Sequence, residues 1–136
     1  MRFKTLNGAI RSVKKSKNYL IDWQAKSKSN IQFETKQFLQ DFWGHHIVFE
    51  EFPVAGTKLS LDFYNANKKI AIEVQGAQHT RYVPFFHGGN RINYINQLSR
   101  DRDKLKFCEI NDIQLIEIYS TEELNKVFFK KHGVIL

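Results

Sequence analysis

Two runs, Leu59-Ser60-Leu61-Asp62-Phe63-Tyr64 and Ile70-Ala71-Ile72-Glu73-Val74-Gln75, constrain the fold more than any other part of the chain. Both alternate apolar and polar residues with the period of a strand, and the residues between them, Asn65-Ala66-Asn67-Lys68-Lys69, are polar and turn-forming. This pattern predicts an antiparallel hairpin. If Leu59, Leu61 and Phe63 bury on the same side as Ile70, Ile72 and Val74, then Phe63 pairs with Ile72, Leu61 pairs with Val74, and Asp62 falls opposite Glu73. Directly opposed residues lie about 4.5–5.5 Å apart, and like charges so placed repel. A cation between them removes the conflict. Mg²⁺ suits two carboxylates, because it fills its remaining positions with water and phosphate oxygens, and the implied chemistry is phosphodiester hydrolysis.

These residues carry a resemblance. Asp62, Glu73 and the run Gly76-Ala77-Gln78-His79 resemble the PD-(D/E)XK nuclease superfamily over roughly residues 31 to 118, within it the very short patch repair-like endonucleases, with relatives among phage homing endonucleases and Holliday-junction resolvases. In that family an Asp ending one strand and a Glu two positions before a Lys on the next bind Mg²⁺, and Asp62 and Glu73 match them. Leu61 stands where the family often has Pro, and Gln75 where it usually has Lys. Gln orients water by hydrogen bonding but brings no charge, so another cation is needed to stabilise a forming hydroxide.

The resemblance implies an α/β fold with a restriction-endonuclease-like α-β-β-β-α-β core, a mixed sheet flanked by helices. The element pattern agrees. A capping box, Ser29-Asn30-Ile31-Gln32, opens a helix ended by Gly44, and His46 to Pro53 reads as a first strand ahead of the hairpin. A helix over about Arg91 to Glu109, a strand Ile113 to Tyr119, and a last helix from the capping box Ser120-Thr121-Glu122-Glu123 to about Lys131 complete the set.

The resemblance also implies roles. Glu34 matches a helix acid that binds a second metal or positions a water; the Val74 carbonyl is a third ligand beside Asp62 and Glu73; Gln75 orients water; His79 acts as general acid or touches phosphate or metal. On the helix after the hairpin, Tyr94, Leu98, Leu105 and Cys108 form an apolar stripe, and Gln97, Arg100, Asp101 and Lys104 a polar one. In family members the polar stripe faces the site, so Lys104 or Arg100 would replace the missing Lys. Gln78 and Arg81 would contact DNA, and Tyr82, Phe85, Phe86 and His87 ahead of Gly88-Gly89 suit base stacking as well as a dimer interface or the core.

Charge divides the chain. Residues 1 to 30 hold eight bases (Arg2, Lys4, Arg11, Lys14, Lys15, Lys17, Lys26 and Lys28) against one acid, Asp22, and so carry the whole excess of +7, whereas later residues balance. Such a segment suits a phosphate backbone, with a solvated basic tail as its alternative. Two regions are expected, a basic DNA-binding extension over residues 1–28 and a single nuclease domain over 29–136. With 136 residues, 42% of them hydrophobic, the chain can bury one core. Its one cysteine, Cys108, permits neither an intrachain disulfide nor a Cys-rich zinc site. No run nears the roughly 18 apolar residues of a membrane span, so a cytoplasmic protein is expected, in the host cytoplasm if phage-encoded.

The sequence thus points to a Mg²⁺- or Mn²⁺-dependent DNA endonuclease using one or two ions, without a small-molecule cofactor or membrane partner. A homodimer cutting Holliday junctions is the first expectation. A sequence- or mismatch-directed nicking or homing enzyme, and a catalytically weak DNA-binding module, are the alternatives.

Overall fold

The computed structural model describes residues 1–75 and 91–136. The hairpin forms where the alternation puts it. Strands β3 (Val48–Pro53), β4 (Ser60–Asn65), β5 (Ile70–Val74) and β6 (Gln114–Ile118) make one mixed sheet in that spatial order. The first two pairings are antiparallel and β5–β6 is parallel, joined through helix α2 (Arg91–Ile110). Helix α1 (Asn30–Trp43) precedes β3, and its N-cap is Ser29, whose side chain accepts from the Gln32 N–H. From α1 onward the element order is α-β-β-β-α-β.

Each face of the sheet has its own core. Phe63, Ile70, Ile72, Ile116 and Ile118 pack with Leu39 and Trp43 of α1 and with Phe129 of helix α3 (Lys126–Lys131). Phe49, Phe52, Leu61, Tyr64 and Ala71 pack with Phe107 and Cys108 of α2. The expected single apolar side of the hairpin is therefore corrected, since Leu59 and Leu61 belong to the α2 cluster and Phe63 to the α1 cluster. Strict alternation fails at Glu51 on β3, which has φ +54° in mid-strand; Phe49 and Phe52, three residues apart, consequently join the same cluster, and their β4 partners Tyr64 and Leu61 follow.

Two further expectations change. The basic N-terminus is not a separate extension. Strands β1 (Arg2–Lys4) and β2 (Ile10–Ser12) form a small antiparallel ribbon, and Phe3, only 7% exposed, packs edge-on to Phe52 and Tyr64 and against Phe107. Asn111 clamps the Lys4 backbone with an N–H···O bond in each direction, and the Ile21 N–H donates to the Val48 carbonyl. Phe3 and Tyr19, both against Phe52, thus help join residues 1–28 to the rest. The Ser120 capping box does form, but over a short 3-10 turn, Thr121–Glu123; Asn125 then caps α3 anew by accepting from the Phe128 N–H. The second cap lets Phe128 and Phe129 reach the α1 core.

Candidate active site

The β4–β5 ladder stops at Phe63 and Ile72. One step beyond, carboxylates take over the bonding that carbonyls would have made. The Asp62 N–H donates to Glu73 Oε2 at 2.7 Å, and the Val74 N–H donates to Asp62 Oδ2 at 2.8 Å. Each acid is thereby fixed by the other's strand. The placement of Asp62 opposite Glu73, expected from periodicity, is present, while the expected Leu61–Val74 ladder pair is replaced by these side-chain bonds.

Glu73 is 3% exposed, and its Oε1 accepts from Lys104 Nζ at 2.6 Å. Lys104 bonds Glu73 alone, and its charge also acts on Asp62. Burial, then repulsion from Asp62, pushes the Glu73 carboxyl up to about 7 despite Lys104. Asp62 is likewise raised, chiefly by burial, against the hydrogen bond from Val74 and the charge of Lys104. Gln75 follows at the end of β5, 7% exposed, its N–H donating to the Ile118 carbonyl. Burial and the nearby Glu73 charge push the Cys108 thiol up to about 12, so it is not a nucleophile at neutral pH.

Acids flank the pair on both neighbouring strands. On β6, Glu117 is in register with Glu73 and accepts the Tyr119 hydroxyl. Burial and Glu117 raise that phenol, and Asp101 of α2 adds to the effect. On β3, Glu51 accepts from Gln32 Nε2 at 3.0 Å, Lys28 Nζ at 3.0 Å and Ser60 Oγ at 3.2 Å. Burial works against its ionisation, but the bonds from Gln32 and Lys28 outweigh it and hold the carboxyl below its usual value.

Sequence reasoning placed Lys104 at the site, and the structure brings it there. The apolar stripe expected on α2 holds at buried Cys108 and half-buried Tyr94 but not at Leu98 and Leu105, each 44% exposed; Gln97, Asp101 and Lys104 are half-buried. Arg100 is exposed. Glu34 is corrected too. On α1 the buried positions are Gln32, Thr35, Lys36 and Leu39, so Glu34, about 200° around the helix from both Gln32 and Lys36, is exposed. Arg2, Lys4, Arg11, Lys14, Lys15, Lys17, Lys26 and Lys28 are all exposed. Gln78, His79, Arg81 and the aromatic stretch lie outside the described residues.

Sequence reasoning missed Glu50, Glu51, Gln32 and Lys36. The available signal was a pair of adjacent acids inside the otherwise apolar strand Val48–Pro53. Lys36 has no exposed side-chain surface; its Nζ meets Glu50 Oε1 at 2.7 Å and the carbonyls of Ala25 and Asp22 at 2.7 and 3.0 Å.

Among the described residues no group of three or more His, Cys, Asp or Glu side chains is arranged to hold a metal ion. The Asp62–Glu73 pair offers a smaller, all-oxygen donor set, largely buried and mutually repelling. Such a set fits a hard divalent cation that keeps water or phosphate as its other ligands. Also among the described residues, no helix is long and apolar enough to cross a membrane.

The chain is 41% identical over 73 residues to the uncharacterized protein 094L of Frog virus 3 (isolate Goorha), a match taking in 53% of this chain and 47% of that protein. It is 34% identical over 74 residues to the uncharacterized protein 307L of Invertebrate iridescent virus 6, covering 54% of this chain and 37% of the relative. It is 33% identical over 75 residues to the uncharacterized protein 033L of Invertebrate iridescent virus 3, at 55% and 38%. The chain thus spans less than half the length of each of these relatives. No protein-family model matches it, and no solved structure does.

Proposed function

We propose that this chain is a Mg²⁺- or Mn²⁺-dependent DNA endonuclease of the PD-(D/E)XK kind, with Asp62 and Glu73 as metal ligands and Lys104 as the cation that replaces the family's Lys at Gln75. The observation that carries this is the Lys104–Glu73 bond of 2.6 Å beside two acids cross-bonded between β4 and β5. A divalent ion bound there, with the Val74 carbonyl as a further ligand, would supply an acidified water and offset the charge of the scissile phosphate.

The chain's own groups do the rest. Lys104 is oriented by Glu73 and presents an ammonium where phosphoryl charge develops, and Gln75 aligns the attacking water by hydrogen bonding. The α-β-β-β-α-β order supports a restriction-endonuclease-like arrangement. The exposed bases Arg2, Lys4, Arg11, Lys14, Lys15, Lys17 and Lys26 suit a DNA backbone, which gives affinity with little base reading. With Glu34 turned away from the sheet, one ion is the simpler assignment. In the finer proposal, a homodimer makes paired nicks in branched DNA.

Incubation with a four-way junction, a plain duplex and a mismatched duplex, in Mg²⁺ or EDTA, tests the proposal. Mg²⁺-dependent cutting is expected, symmetric on the junction for a dimeric resolvase, whereas a single nick in a duplex would replace the resolvase with a site- or mismatch-directed enzyme. Tight, salt-sensitive binding without cutting in Mg²⁺ or Mn²⁺ would leave a DNA-binding module and end the nuclease assignment.

A further inference from the structure

On the nuclease reading above, we infer that Lys28 is the side chain that grips the substrate phosphate beside the acid pair, and that Glu51 is the positioning residue that holds Lys28 there.

The β3–β4 register pairs Glu50 with Phe63 and Phe52 with Leu61, so Glu51 falls opposite Asp62, as Asp62 falls opposite Glu73. Glu51 is in the left-handed region at φ +54°, a conformation unfavourable for a non-glycine residue in a strand and kept only where surrounding bonds impose it. Here Gln32, Ser60 and Lys28 supply those bonds. Strain concentrated beside Asp62 turns Glu51 out of the ladder and onto Lys28.

Lys28 is 68% exposed, whereas Lys104 is 18% exposed and committed to Glu73. Of the two ammoniums, Lys28 is the more open to an incoming phosphate. Its charge acts on both Asp62 and Glu73. The segment ahead of it is anchored, because buried Lys36 binds the carbonyls of Asp22 and Ala25 and the Ser27 hydroxyl donates to Glu50 Oε2 at 2.6 Å. Lys28 therefore extends from a fixed base, and its exposed ion pair can exchange a carboxylate for a phosphate at little cost.

The test compares wild type with Lys28→Gln, Lys28→Arg, Glu51→Gln and the Lys28→Gln/Glu51→Gln double variant, measuring Mg²⁺-dependent cleavage of the junction and duplex and metal-free DNA binding across a salt series. Lys28→Gln should lower kcat/KM about tenfold, mainly through KM, with Lys28→Arg restoring most of it. It should also reduce the salt slope of binding by about one unit. Glu51→Gln should lower kcat/KM less, and the double variant should match Lys28→Gln alone, since Glu51 acts through Lys28. Tm should barely change in Lys28→Gln, because the Lys28 side chain is exposed. Unchanged kcat/KM and salt slope in Lys28→Gln, or additive losses in the double variant, would overturn the inference. If wild type cuts none of the substrates, the nuclease reading falls, and the salt slope alone decides whether Lys28 grips phosphate.

Discussion

Two buried charge clusters lie on neighbouring strands of the same sheet. Lys36 and Glu50 are matched one to one, with the Asp22 and Ala25 carbonyls completing the ammonium and Ser27 and Gln32 completing the carboxylate. Among the described residues the Asp62–Glu73 pair has one ammonium in direct contact, Lys104 on Glu73, and burial drives both carboxyls upward. The first cluster meets its own needs and is read as a structural pin. The second retains a conflict that folding alone does not require, and a bound cation would resolve it.

Breaking the pin should produce the larger loss of stability. Lys36→Met strands Glu50 in a mostly buried position and should cost about 3 kcal/mol in denaturant unfolding, the usual range for removing one partner of a buried pair. Lys104→Met should cost about 1 kcal/mol near pH 6, because Glu73 can take a proton instead. Equal losses at the two sites would erase the distinction.

The acid pair also carries a pH signature. Its carboxyls are raised in the folded state, so the fold binds their protons more tightly than the unfolded chain does. That stabilisation is present below the ordinary carboxylate value of 4.5 and is lost as pH rises through about 7. In EDTA, Tm should fall between pH 5 and pH 8 by the equivalent of about 2 kcal/mol, and Glu73→Gln should flatten the curve. Mg²⁺ at several times its dissociation constant should return about 1 kcal/mol at pH 8 in wild type and nothing in Asp62→Asn.

Much of this was legible in residues close together in sequence. Period-two alternation placed the hairpin and set Asp62 against Glu73, and Ser29 marked the start of α1 because a cap is a local hydrogen bond. Lys104 was named, beside Arg100, because the polar α2 stripe faces the site in the resembled family, and Lys104 is the one that meets Glu73. What stayed hidden depended on tertiary choices. Leu98 and Leu105 looked like part of a core stripe, but the sheet took Phe107 and Cys108 at the end of α2 and the side where Lys104 meets Glu73. Phe3 buries itself from within a basic segment, which composition cannot show. Glu51 was legible only as an acid beside Glu50 in an apolar strand; its departure from the ladder is set by a backbone φ that sequence does not carry. Glu34, placed by resemblance, lies on the exposed side of α1, so Glu34→Gln should change cleavage by less than about twofold, the smallest effect expected here.

The most direct test of the acid pair is the Mg²⁺-dependent DNA cleavage rate of Asp62→Asn and Glu73→Gln beside wild type, with DNA binding measured in parallel. A fall of about a thousandfold or more in both variants, with binding and folding retained, is the predicted result. Wild-type cleavage in either variant would contradict the assignment of these carboxylates as the centre of the chemistry.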